Sequence, residues 1–242
     1  MGSDGFFDVL HSTRSMRRFR PDPVSDEILV KLVEAGIRGP SAANARNWHF
    51  IVVRDRQMMK RIAEPWRRGI SFFVENAATV PARPGEDLEQ RRRTLRAVMY
   101  LADHFEETPA VICVCVKRDR FAEKLARRPT TVLAAIRHLG FLGTLKVGLG
   151  AKRRSEQELW ATAYTAAENV LLAARALRLG AVMTVPMVLA PPGTYEKILG
   201  LPKEVLLATI IPVGYPQGEF GPVSRPSVES VMSWDRYRPS GA

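Results

Sequence analysis

Four stretches of this 242-residue chain read as β-strands, and helical sequence separates each from the next. They cover residues 48–53, 110–116, 181–185 and 205–213. Strands so far apart cannot meet through tight hairpins. Each must return to the sheet after a helix, and those helices must cover the sheet's faces. The expected class is therefore α+β, with helices packed around a central sheet. The length suits one domain with a sizeable core.

Helical periodicity supplies the other layers. A short helix is expected over 6–12. Ser25 is a good N-cap, with Asp26 and Glu27 in the first turn and Ile28, Leu29, Leu32, Val33 and Ala35 on an apolar face. Gly39-Pro40 ends that helix. A basic helix is expected over 55–67, another helix over 86–107 and a short one over 194–199. The strongest spans 155–179, with Trp160, Ala163, Ala167, Val170 and Ala174 on one broad face and Gly180 as its stop. Residues 117–154 hold helical pieces over 120–127 and 131–142, then glycine-spaced sequence from Gly140 to Gly150. They read as an insertion over a site. The tail after Gly214 carries Val228, Val231, Met232, Trp234 and Tyr237, and a partner subunit is a natural place to bury them.

Two polar segments bracket the first long helix: Thr13-Arg14-Ser15-Met16-Arg17-Arg18-Phe19 and Pro40-Ser41-Ala42-Ala43-Asn44. A helix over 25–38 is roughly 20 Å long. The connector 18–24, extended by Pro21 and Pro23, also reaches roughly 20 Å. If it folds back along the helix, Arg14, Ser15 and Arg17 face Ser41 and Asn44. Two guanidiniums, two hydroxyls and an amide make a seat for a phosphorylated ligand.

The net charge is +11, from 36 Lys plus Arg against 25 Asp plus Glu. That fits an anionic partner (nucleic acid, a membrane surface or a phosphorylated cofactor), or simply an arginine-rich surface, since the arginines are dispersed. No recognised nucleic-acid motif accompanies the charge. No secretion signal is visible, and the apolar run 170–190 is broken by Arg175 and Arg178, so no membrane span is expected. Cys113 and Cys115 alternate within one apolar strand. They read as buried thiols rather than metal ligands, in a reducing cytoplasm, and no metal is expected.

Nucleophile motifs, a P-loop and a Gly-x-Gly-x-x-Gly fingerprint are all missing from the sequence. No side chain is singled out as catalytic, so the chemistry is expected to come from a cofactor. Arg14-Ser-Met-Arg17-Arg-Phe19, Pro23-Val24, Pro40-Ser41-x-x-Asn44 and Trp48-x-Phe50 resemble the nitroreductase family of FMN enzymes. The resemblance continues through 168–181, Met183-Thr184-Val185-Pro186, 198–202, Pro212-Val-Gly-Tyr-Pro216 and Arg225.

That resemblance implies a single domain over 1–242, a three-layer α/β/α sandwich with a mostly antiparallel sheet, and a C-terminal arm exchanged between subunits. It implies a homodimer with FMN at the interface and electrons supplied by NADPH or NADH. The flavin is reduced, then reoxidised by a nitroaromatic, a quinone or a similar flat acceptor. Arg14, Ser15 and Arg17 would hold the FMN phosphate and ring edge, with Arg225 joining at the phosphate. Pro40, Ser41 and Asn44 would come from the other subunit. Met183, Thr184 and Val185 would offer backbone groups to the ring. Related members dehalogenate an aromatic or cleave flavin, which leaves the reaction open. Many members have Gln-Pro before the tryptophan, where this chain has Arg46-Asn47.

Overall fold

The computed structural model describes residues 3–77, 79–81, 86–118 and 121–238. Its helices are α1 (Ser3–Ser12), α2 (Asp26–Gly36), α3 (Arg56–Ala77), α4 (Leu88–Asp103), α5 (Phe121–Ala126), α6 (Pro129–Ala176) and α7 (Thr194–Leu199). Its strands are β1 (Trp48–Val53), β2 (Ala110–Lys117), β3 (Gly180–Ala181) and β4 (Val205–Gly214). The order across the sheet is β1-β2-β4-β3, and each neighbouring pair is antiparallel. The α+β class and the mostly antiparallel sheet expected from the sequence are both present.

Alternation along β2 builds the sandwich. Ile112, Val114 and Val116 enter one core with Leu29 and Leu32 of α2 and Ala163, Ala167 and Val170 of α6. Val111, Cys113 and Cys115 enter the other with Met59, Ile62 and Trp66 of α3, Leu101 of α4 and Tyr195 of α7. A bulge opposite Val114 and Cys115 shifts the register of β4, so Leu207 and Ile210 share one core while Ala208 and Ile211 share the other. A sheet buried on both faces explains why β2 and β4 are almost wholly apolar.

Three expectations change. The strand expected over 181–185 is only Gly180–Ala181; beyond it the chain leaves the ladder and touches β4 again at Thr184. The expected glycine-rich insertion is helical. Apart from a break at Gly140 (φ 69°, ψ 169°), α6 runs through Gly143, Gly148 and Gly150 into the core segment. Glycine lowers helix propensity by only about 1 kcal/mol per residue, and the helix on its C-terminal side propagates through it. The helix expected over 120–127 is α5, and its expected start at Arg120 lies outside the described residues.

The start of the connector is paired with the end of β4. Arg20 N–H donates to Tyr215 O at 2.8 Å, Gln217 N–H donates to Arg18 O at 3.1 Å, and Phe19 bridges Pro216. Main-chain pairing at the end of β4 therefore fixes its direction.

Both cysteines are free and buried. Burial pushes the Cys113 thiol well above its ordinary range. Burial, reinforced by the charge of Glu196, pushes Cys115 up to about 12. The native state retains protons that an unfolded chain releases above pH ~8.5. Stability from these thiols is therefore full below that pH and falls as pH rises toward the folded values, by up to about 1.4 kcal/mol per pH unit per thiol. Denaturant midpoints at neutral and alkaline pH should show a smaller alkaline loss in Cys113→Ala/Cys115→Ala than in wild type.

Candidate functional site

The first polar segment is held by the sheet edge. Thr13 N–H and Oγ1–H both donate to Val9 O, at 2.9 and 2.6 Å, which closes α1. Met16 N–H donates to Ala181 O at 3.0 Å, and Ser15 bridges Ala181 in parallel register. A Cβ on Gly180 would lie 2.8 Å from Met16 Cβ and 3.1 Å from Pro216 Cβ. Gly180 lets this segment reach the sheet but is not the stop of α6 expected from the sequence: the helix ends at Ala176, and Arg178 takes the left-handed turn (φ 61°) before β3.

Arg14 and Ser15 line a cavity of about 220 Å³ together with Thr13, Glu168, Arg175 and Arg225. Arg225 arrives from the tail, more than two hundred residues away in sequence. The Arg175 guanidinium lies 4.2 Å over the Phe220 ring, and its Nε–H donates to Ser12 Oγ at 2.9 Å. Three guanidiniums thus face one carboxylate, Glu168. Among the described residues, no carboxylate lies within ion-pair distance of Arg14, Arg17, Arg175 or Arg225. Arg17 is half-buried, and desolvation holds its pKa below the ordinary arginine value.

Arg14, Ser15 and Arg17 also border a second cavity, of about 630 Å³, whose opposite wall is α4. Gln90, Arg93, Thr94 and Ala97 form that wall. Their spacing places them on one stripe of the helix. Next to it, the Arg18 guanidinium lies 4.0 Å over Tyr100, which stacks on His104 at 4.1 Å. His104 Nδ1 is 2.9 Å from Tyr100 O.

Thr184 is anchored rather than free. Its N–H donates to Ile210 O at 2.9 Å, and its carbonyl accepts from Ile210 N at 3.0 Å. Its hydroxyl donates to Ile210 O at 2.7 Å, and Thr209 Oγ1–H donates to Thr184 O at 2.8 Å. Its main-chain groups are spent on the fold, while Met183 and Val185 on either side are exposed.

The second polar segment sits elsewhere. Ala42 N–H donates to Thr162 Oγ1 and Thr165 Oγ1–H donates to Pro40 O, each at 3.1 Å. Pro40, Ser41 and Asn44 therefore lie nearer the N-terminus of α6 than the cavity formed at Glu168 and Arg175, and they line neither cavity that holds Arg14. The two segments expected to form one seat thus share neither cavity within one chain. Ser41 Oγ accepts from Arg46 N–H at 3.0 Å, and Asn44 Oδ1 accepts from Arg46 Nε–H at 3.1 Å. Ala43, Asn44 and Arg46 all have positive φ, at 49°, 55° and 48°. Such strain in non-glycine residues is uncommon and clusters at functional sites. Asn47, in the departure from Gln-Pro, donates through Nδ2 to Lys117 O at 2.7 Å and so clamps the sheet end.

Sequence reasoning missed Arg175 and the α4 stripe as parts of these cavities. The signal for Arg175 was a lone cation in an otherwise apolar helical stretch. The α4 stripe gave no such signal, because its residues look like any solvated face.

The profile of the nitroreductase family matches residues 10–215. The chain belongs to the nitroreductase family. A protein of Thermus thermophilus named NADH dehydrogenase is 28% identical over 231 residues, covering 91% of each chain. An iodotyrosine deiodinase solved with FMN and 3-iodo-L-tyrosine shares the fold with TM-score 0.66 and 21% identity, covering 96% of this chain and 100% of that one. A nitroreductase with bound FMN from Desulfitobacterium hafniense gives TM-score 0.61 at 17% identity, covering 95% and 97%. The three-layer architecture is thus that of the nitroreductase fold.

Gly180→Ala should push Met16 off the sheet edge. The expected cost is about 1–3 kcal/mol, read as a lower denaturant midpoint at unchanged slope.

Proposed function

We propose that this protein is an FMN-dependent oxidoreductase that passes electrons from NADPH or NADH to nitroaromatic, quinone or similar flat acceptors. One observation carries the reading: Arg14, Ser15 and Arg225 come from opposite ends of the chain to line one cavity, and no carboxylate among the described residues pairs with its guanidiniums. Membership of a family whose neighbours in fold hold FMN supports it.

The residues present fit such a cofactor. Planar guanidiniums and a hydroxyl suit a dianionic phosphate. Arg17 supplies a partly desolvated positive charge beside it, where low dielectric strengthens its field. Thr184 holds the 183–185 turn, and the main chain of Met183 and Val185 is assigned to the flavin ring, although neither residue lines the cavities that hold Arg14. A flavin held there by Arg14, Ser15, Arg17 and Arg225 would supply the two-electron transfer chemistry between nicotinamide and acceptor. The protein holds and orients flat partners at close range, and no side chain acts as nucleophile. The α4 stripe forms the wall opposite Arg14 and Arg17 and bears on acceptor choice.

Pro40, Ser41 and Asn44 are assigned to the flavin of a second subunit in a homodimer. The exposed tail residues Val228, Val231, Met232, Trp234 and Tyr237 are assigned to an arm laid over that subunit. Two free, buried thiols fit a cytoplasmic setting. A second reading keeps the flavin but makes the reaction reductive dehalogenation; the fold likeness to the deiodinase supports it.

The purified protein should be yellow, release FMN on denaturation, and oxidise NADPH or NADH when a nitroaromatic or quinone is supplied. Arg14→Ala should weaken FMN binding by about 10–100-fold, the loss expected for a charged hydrogen bond. A protein that stays colourless after incubation with FMN would sink the proposal. Halide release from a halogenated phenol without nitroaromatic turnover would select the second reading.

A further inference from the structure

We propose that Arg175 is a further phosphate-binding residue of the arginine cavity, with Ser12 and Phe220 as its positioning residues. The inference rests on the flavin reading and adds to it a residue that the family resemblance does not assign to FMN.

Between Glu168 and Arg178 the sequence carries one charged residue, Arg175. It stands in the last turn of α6 and is half-buried. Among the described residues no carboxylate lies within ion-pair distance of it, so nothing in the protomer offsets its desolvation with charge. Its position is nevertheless fixed. Nε–H donates to Ser12 Oγ at 2.9 Å, and the Ser12 hydroxyl donates in turn to Asp8 O at 2.5 Å, which leaves the oxygen's lone pairs for Arg175. The Phe220 ring covers one face of the guanidinium at 4.2 Å. The tail that carries Phe220 is docked on the end of α1, where Val223 N–H donates to His11 O at 3.3 Å.

These contacts use Nε and one face of the plane. Among the described residues nothing accepts from Nη1 or Nη2. A guanidinium with a fixed plane and an open fork presents parallel donors, the geometry that a phosphate takes bidentately.

Charge points the same way. Arg14, Arg175 and Arg225 line the cavity against one carboxylate, Glu168. Two positive charges remain, the complement of a phosphate monoester, which is close to dianionic at neutral pH. Without Arg175 a single positive charge would remain. Glu168 and Arg175 stand two helical turns apart on α6, about 10 Å along the axis, so an anion can meet the guanidinium without meeting the carboxylate.

The test uses the full chain, freed of carried flavin, and compares dissociation constants for FMN and riboflavin by flavin fluorescence. The two ligands differ only in the phosphate. Arg175→Gln should weaken FMN by about 10–100-fold and leave riboflavin within about twofold. Ser12→Ala keeps the charge but releases the guanidinium, and should weaken FMN by about 2–10-fold with riboflavin again unchanged. Equal losses for both flavins in Arg175→Gln would make Arg175 a structural tie between α1, α6 and the tail and overturn the proposal, as would an unchanged FMN affinity. If Arg175→Gln does not fold, Arg175→Lys, which keeps the charge without the fork, and Ser12→Ala carry the same comparison. A wild type that binds neither flavin sinks the flavin reading and this proposal with it. A wild type that binds FMN, with a ratio to riboflavin that no variant moves, sinks only the role of Arg175.

Discussion

The C-terminal half of β4 is the seam on which the candidate site depends. Ile210 pairs with Thr184, Val213 with Ala181 and Gly214 with Gly180. Just beyond, Tyr215, Pro216 and Gln217 hold Arg20, Phe19 and Arg18. A few consecutive residues therefore pin both the arginine-bearing segment and the 183–185 turn. These contacts are mostly main chain to main chain, and β4 is buried between two helical layers. The positions of Arg14 and Arg17 are thus set by a rigid element, which is what orienting a bound molecule requires.

Charge is distributed unevenly around that seam. Away from it, arginines find carboxylates: Arg67 with Glu106, Arg91 with Glu86, Arg54 with Asp26. At the seam, Arg14, Arg17, Arg175 and Arg225 have no such partner among the described residues. Desolvating a guanidinium costs free energy that only an anion or good acceptors return. The depressed pKa of Arg17 expresses that cost. Arg14 and Arg225 are exposed and carry little of that cost; the proposed phosphate would meet Arg17's charge with matching sign and geometry.

The strands 48–53, 110–116 and 205–213 were legible because each is a short apolar run bounded by clear breaks, and the cysteine alternation fixed which residues share a layer. The arginines of the site were legible through their motif. The connector's path was not: its length matched α2, but its direction depends on hydrogen bonds to Tyr215 and Gln217, nearly two hundred residues away. The helical state of 141–151 was also hidden. Gly143, Gly148 and Gly150 each weaken a helix locally, while the helix that propagates through them is stabilised by core contacts further along, at Ala163 and Val170.

One helix carries the parts of the candidate site that the protomer keeps apart. α6 holds the 40–44 loop at Thr162 and Thr165, and lines the arginine cavity with Glu168 and Arg175. At 1.5 Å per residue, Thr165 and Arg175 are about 15 Å apart along the axis. The cavity's near edge, Glu168, lies only about 4.5 Å along the axis from Thr165, yet Pro40, Ser41 and Asn44 do not line it. In the proposed homodimer each 40–44 loop would instead serve the other subunit's cavity. The strained φ values at Ala43, Asn44 and Arg46 have a rationale there, since the loop is shaped for a surface its own chain does not supply.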